Sequence, residues 1–206
     1  MKSFSELAQS VSFTRKGSKV KLNDKDPTLE LIGTGRSAYV FKIRGTNKVL
    51  KIFFPPYEQI AQEEAEIYKM LSGNRYYPSI YDSGEDYLVI DYIAGNTLFD
   101  CLVKGIKVTA NEIREIDKAL TIAREKGLNP SDIHLRNIIL TKDDQVMLID
   151  VARFQQTKKC QQWADIKAAY KKFYHKRFFP KKAPEAILNF IAFLYKKKWI
   201  PHFREL

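Results

Sequence analysis

The chain has 206 residues, of which 45% are hydrophobic and 29% charged. It is sized for one globular domain, or one domain in two lobes, able to bury a full core. An aromatic content of 13% with regular apolar runs excludes a disordered chain, and two distant cysteines, Cys101 and Cys160, exclude a disulfide scaffold or a zinc site. The formal net charge is +11, and residues 157–206 carry 13 Lys/Arg against 3 Asp/Glu, so +10 sits in the last quarter. Such a stretch can meet RNA, the ribosome or another anionic partner, or serve as a solvated helix face. The start lacks the apolar stretch of a signal peptide. The longest apolar run, Ala186–Tyr195, is interrupted by Asn189 and is too short to span a bilayer. These features suggest a cytoplasmic protein without a transmembrane segment, its cysteines reduced.

In chain order, residues 1–28 form a polar, basic lead-in, either loose or a short helix plus a strand. From residue 29 the pattern is strand-like: Leu29–Ile32, then Gly33-Thr34-Gly35, then Ala38–Ile43, a turn at Gly45-Thr46-Asn47, and a strand over Val49–Phe53 closed by Pro55 and Pro56. The spacing of Ile60, Ala61, Ala65, Ile67 and Leu71 predicts a helix over Gln59–Leu71, stopped by Gly73-Asn74. Short strands follow near Ile80-Tyr81 and over Tyr87–Tyr92. After Gly95 the character changes. Helices are expected over Thr97–Val103 and Glu112–Lys126, the second stopped by Gly127. A strand pair follows over Ile138–Leu140 and Val146–Ile149, then helices over Gln161–Lys176 and Ala183–Lys198. Ala186–Tyr195 reads as a packed helix of the second half rather than a membrane-inserted segment. Strands first and helices later imply an α+β chain in two lobes, joined near Ile93-Ala94-Gly95.

Several residues suit phosphate chemistry. Glycines at 33 and 35 let backbone N–H groups approach a polyphosphate, and the strand that follows them excludes a Rossmann arrangement, which needs a helix there. Lys51 lies inside an apolar strand and requires a negative partner if it points inward. Glu64, in the next helix, can supply it, with Glu63 and Glu66 as competitors. Asp132 and Asn137 stand five residues apart in a loop before a strand, and Asp150 ends the next strand. A carboxylate base with an Asn and an Asp for a metal ion is a minimal kit for phosphoryl transfer.

Taken in order, these parts resemble the protein-kinase superfamily over about residues 31–154, some sixty per cent of the chain. The stretch from Ala123 through Asp132 and Asn137-Ile138-Ile139-Leu140 to Leu148-Ile149-Asp150 carries the resemblance most closely. It implies a bilobal fold: a β-rich N-lobe over residues 29–93 and a reduced helical C-lobe over residues 94–206. It also implies ATP and Mg2+ as cofactors. Gly33 and Gly35 would cover the phosphates, with Val40 above the adenine and Ile139 below it. Lys51 would contact the α- and β-phosphates and pair with Glu64. Ile90 would be the gatekeeper, and the Asp91 carbonyl and Ile93 N–H would bind adenine. Asp132 would accept the substrate hydroxyl proton, and Asn137 and Asp150 would hold magnesium. The implied activity is transfer of the ATP γ-phosphate to Ser/Thr hydroxyls of a protein, the chain itself included.

The sequence departs from the family pattern at several points. Ala38 stands for the third loop glycine, and Pro130-Ser131 for the His-Arg pair before the catalytic Asp. Asp150-Val151-Ala152 stands for Asp-Phe-Gly, and no Ala-Pro-Glu segment is present. Fourteen residues separate Asp150 from Asp165, where Trp163-Ala164-Asp165-Ile166 resembles the helix that braces the catalytic loop. This shortening is similar to that of RIO-type kinases, the KEOPS kinase and minimal bacterial serine/threonine kinase-like proteins. His134 also makes Asp132-x-His134-x-x-Asn137, which resembles the aminoglycoside and choline kinases, and could stand near the γ-phosphate. A small-molecule kinase and a non-catalytic nucleotide-binding module, docking RNA, ribosome or membrane, are the alternatives.

Overall fold

A computed structural model describes residues 2–17, 19–197 and 199. The fold is α+β, and the chain divides into two compact units, Met1–Ile93 and Ala94–Leu206.

The first unit opens with a short helix α1 (Phe4–Gln9), closed by a capping box in which Ser3 accepts from the Glu6 N–H and Glu6 accepts from the Ser3 N–H. A hairpin of β1 (Ser12–Lys16) and β2 (Lys19–Asp24) follows, so the lead-in is a helix and two strands. Next come β3 (Leu29–Thr34), β4 (Ala38–Ile43), β5 (Lys48–Phe53), helix α2 (Gln59–Met70), β6 (Ile80–Ser83) and β7 (Tyr87–Asp91). The last five strands form one antiparallel sheet in the order β3-β4-β5-β7-β6.

Strand alternation sorts this sheet's side chains onto two faces. Tyr39, Phe41 and Ile43 of β4, with Leu50 and Ile52 of β5 and Val89 of β7, meet Leu7, Ala8 and Val11 in one core. Lys51 belongs to the opposite register of β5 and faces α2, which buries Ala61, Glu64, Ala65 and Tyr68 at helical spacing.

The second unit contains β8 (Gly95–Thr97), α3 (Leu98–Lys104), α4 (Ala110–Glu125), β9 (Ile138–Thr141), β10 (Val146–Leu148), α5 (Gln162–Ala169), a π-helical turn (Tyr170–Tyr174) and α6 (Glu185–Lys196). β10, β9 and β8 form a small antiparallel sheet. Gly95 is dictated by that pairing, because a Cβ there would lie 2.2 Å from the Leu140 carbonyl oxygen. α4 packs through Ile113, Ile116, Ala119, Leu120 and Ala123, and ends at Gly127, whose φ is +79°. Trp163 of α5 donates from Nε1 to Asp117 of α4 at 2.7 Å.

Two expectations need correction. The helix over Gln161–Lys176 is α-helical only to Ala169, then widens into the π turn, where the Tyr174 hydroxyl accepts from the Val108 N–H at 3.1 Å. Ala186–Tyr195 is helical but not a packed helix: none of the α6 residues is fully buried, and Ile187, Phe190, Ile191 and Phe193 are exposed. The expected end at Lys198 and residues 200–206 of the basic stretch lie outside the described residues. No helix among the described residues is long and apolar enough to cross a membrane.

Phe41 is completely buried and Leu31 is exposed. Phe41→Ala is therefore expected to lower unfolding free energy by about 3–5 kcal/mol, and Leu31→Ala by less than about 0.5 kcal/mol, read from urea midpoints.

Candidate active site

In the first unit, the turn after β3 brings Gly33 opposite Val40 across a bulge, and the Gly35 N–H donates to the Ala38 carbonyl at 2.8 Å. Neither glycine has a positive φ, and an added Cβ at either would make ordinary contacts from 3.4 Å outward. The fold itself does not require glycine at these two positions, although at Gly33, inside β3, glycine weakens the strand by about 0.5–1 kcal/mol.

Val40 lies opposite Lys51 in the next register. The Lys51 ammonium reaches Glu64 Oε2 at 2.7 Å, with the lysine side chain 12% exposed and that of the glutamate wholly buried. Glu63 is exposed and Glu66 pairs with Lys69 at 2.7 Å, so of the three glutamates Glu64 is the inward one. Asp91 faces Lys48, three residues or about 10 Å along β5 from Lys51. Its carboxylate accepts from the Ser79 N–H at 2.8 Å and the Tyr81 hydroxyl at 2.6 Å, which fixes the end of β7. The Tyr92 N–H donates to the Asn47 carbonyl, Ile90 is buried, and Ile93 is half-buried.

In the second unit, the loop between α4 and β9 is wound tightly around Asn137. Its side-chain Nδ2 donates to the Asp132 carbonyl at 3.2 Å, and its own carbonyl accepts from the Ile149 N–H at 2.9 Å. One amide residue thus ties the Asp132 loop to the residue preceding Asp150. Asp132 and Asp150 both have φ of +60°, in the left-handed region; Asp144, in the β9–β10 turn, is the other described non-glycine residue there. Such conformations cost about 1–3 kcal/mol and collect where geometry matters more than stability. Ile139 is buried in β9 between Thr97 and Met147.

The chain is 48% identical over 202 residues to a Bacillus subtilis protein named "Putative serine/threonine-protein kinase YrzF", covering 97% of this chain and 94% of the relative. The chain belongs to the serine/threonine-protein kinase family. A Clostridium acetobutylicum protein named "Probable serine/threonine-protein kinase CA_C1728" is 33% identical over 140 residues, 59% of this chain and 21% of its own length. "Serine/threonine-protein kinase 1" of Heliothis zea nuclear polyhedrosis virus is 29% identical over 99 residues, 44% of this chain and 37% of its own. No family model matches the chain.

Three residues in and around this kinase's loop, Arg153, Asn129 and Arg136, make contacts that are not apparent in its sequence pattern. Arg153 Nε lies 3.4 Å from Asp132 Oδ2. The Asn129 N–H donates to the Phe154 carbonyl at 2.6 Å, and its Nδ2 donates to the carbonyls of Gln156 and Lys158. The segment after Asp150 is thereby held to the loop that carries Asp132. Arg136 lies over the Phe99 ring at 3.4 Å and donates to Asn189 of α6 at 2.9 Å. His134 accepts the Arg136 N–H on Nδ1 at 3.3 Å, which leaves its proton on Nε2. Burial holds the His134 imidazole below its ordinary pKa, partly opposed by the Asp132 and Asp150 carboxylates.

Asn137 and Asp150 offer an amide oxygen and a carboxylate, hard donors of the type that hold magnesium together with phosphate oxygens and water. No cluster of three or more His, Cys, Asp or Glu suited to a metal occurs among the described residues.

Glu64→Gln is expected to destabilise the kinase by about 1–3 kcal/mol, because it replaces the buried carboxylate beside the Lys51 ammonium with a neutral amide; Glu63→Gln is expected to change stability by less than about 0.5 kcal/mol. Denaturant titration of both variants measures the difference.

Proposed function

We propose that this kinase is an ATP- and magnesium-dependent phosphotransferase that moves the γ-phosphate of ATP to a Ser/Thr hydroxyl of a protein, its own chain among the substrates. The observation that supports this most is the placement of Asn137, bonded to the Asp132 backbone and to the residue before Asp150. An acceptor base and two metal donors are then held by one short loop and one strand end.

In this reading Lys51, aligned by Glu64, contacts the α- and β-phosphates. Gly33 and Gly35 let backbone approach them, which accounts for glycines the fold does not need, and Val40 and Ile139 enclose the adenine. The Asp91 carbonyl and Ile93 N–H bind its edge. Asn137 and Asp150 hold magnesium, which neutralises charge on the phosphates. The hydroxyl oxygen attacks the γ-phosphorus, the bond to the β–γ bridging oxygen breaks, ADP leaves, and Asp132 takes the hydroxyl proton. His134 stays neutral and presents Nε2–H, a donor able to meet a γ-phosphate oxygen. Arg153 steadies the Asp132 carboxylate. Residues 29–93 serve as the nucleotide-binding lobe. Residues 94–206 serve as a C-lobe reduced by the short Asp150–Asp165 interval.

The His134 geometry favours one second reading, a kinase of small hydroxylated molecules. The test separates the two. Purified full chain with ATP and magnesium is expected to gain thermal stability and to acquire phosphate on its own Ser/Thr residues by mass spectrometry. EDTA abolishes transfer, as do Lys51→Ala and Asp150→Ala; Asp132→Asn lowers its rate by about 10²–10⁴-fold. Undiminished transfer in the Lys51 or Asp150 variants overturns the roles. ADP release that depends on added hydroxylated metabolites, without phosphoprotein, favours the second reading.

A further inference from the structure

The helix α6 is anchored on one side and bare on the other. The Tyr195 hydroxyl donates to the buried Asp165 carboxylate at 2.7 Å, and Asn189 accepts from Arg136. On the opposite side Ile187, Phe190, Ile191 and Leu194 recur at i, i+3, i+4 and i+7, one apolar stripe with Phe193 at its margin. Leu194 is half-buried, and Phe190 is 60% exposed. Two more large side chains stand out on either side in the sequence, Phe178 at 95% and Trp199 at 72% exposed. An apolar surface of this kind marks an interaction site.

Charge narrows the partner. Between Tyr170 and Lys197 there are eight Lys/Arg and one acid, Glu185. A nucleic acid would satisfy the cations through its phosphates but leave Ile187, Phe190 and Ile191 in water. A second copy meeting this face symmetrically would bring two such basic segments together. An anionic bilayer satisfies both features, since acyl chains take up the apolar stripe while headgroups meet the lysines. At 12 residues α6 is too short to span, so it would lie in the plane of the interface.

We propose that α6, with Phe178 and Trp199, is a docking surface for an anionic lipid bilayer. The proposal does not depend on catalysis. Full-length chain is sedimented with vesicles of phosphatidylcholine alone and of phosphatidylcholine mixed with phosphatidylglycerol. Binding is expected only to the mixed vesicles, to weaken with salt, and to shift the exposed Trp199 emission to the blue, while Trp163 is already buried. Combined Ile187→Ser, Phe190→Ser and Ile191→Ser is expected to lower partitioning about tenfold or more at unchanged charge. Lys197→Gln, which flanks the stripe beside the Phe193 ring, is expected to lower it about fivefold. Thermal midpoints check that each variant is folded; the Lys197 variant and the wild-type fluorescence serve if the apolar variant is not. Equal binding to both vesicle types, or undiminished binding in the folded apolar variant, overturns the proposal. So does failure of the folded full-length chain to bind the mixed vesicles; a dimer that Phe190→Ser disrupts then points to a second copy, and RNA binding indifferent to the apolar substitutions to the cations alone.

Discussion

The first unit depends on the register of β5 between β4 and β7. With Leu50 and Ile52 turned into the core that holds α1, strand alternation leaves Lys51 no choice but the face covered by α2. An ammonium there is tolerable only with a carboxylate beside it, and Glu64 stands one helical turn from Ala61 and one from Tyr68 on the buried side of α2. A slip of one residue would bury Leu50 against Glu64 and drive Lys51 into the apolar core. The same hydrophobic pattern that folds the sheet therefore also aims the charged pair.

The second unit reaches its geometry differently. Its loop is anchored by buried Leu128, Ile133, Val151 and Phe154 and shaped by hydrogen bonds that converge on two amides. Asn137 ties Asp132 to the end of β10, and Asn129 holds the chain beyond Asp150 as far as Lys158. These bonds offset the left-handed backbone of Asp132 and Asp150. Ser131, buried and donating to the Asn129 carbonyl, occupies a place where the family pattern has an arginine, so this loop is braced from within rather than by a side chain awaiting a phosphate.

Much of the fold was legible because periodicity is a strong signal where one face is buried. The β4 and β5 alternation and the helical spacing of α2 and α4 placed those elements within a residue or two. The choice of Glu64 over its neighbours was also available, since Ala61, Glu64, Ala65 and Tyr68 share one face. Other features left no local trace. β8 is three residues whose strand character comes only from pairing with β9. The π turn exists because Tyr170 and Tyr174 reach back toward residues 106–108, more than sixty positions earlier. Arg153 beside Asp132 follows from how the chain turns after Asp150, which no spacing rule gives. For α6, apolar composition suggested a packed helix, but composition cannot tell which neighbours the rest of the chain provides.

Arg136 sits where two of these features meet. Its guanidinium lies on Phe99 at the start of α3, its side chain reaches Asn189 and approaches Glu185 of α6, and its backbone immediately precedes Asn137. Pulling α6 away would strain a side chain one peptide bond from the amide that organises the loop. Whatever holds that helix steady therefore also fixes the Arg136 side chain beside the loop.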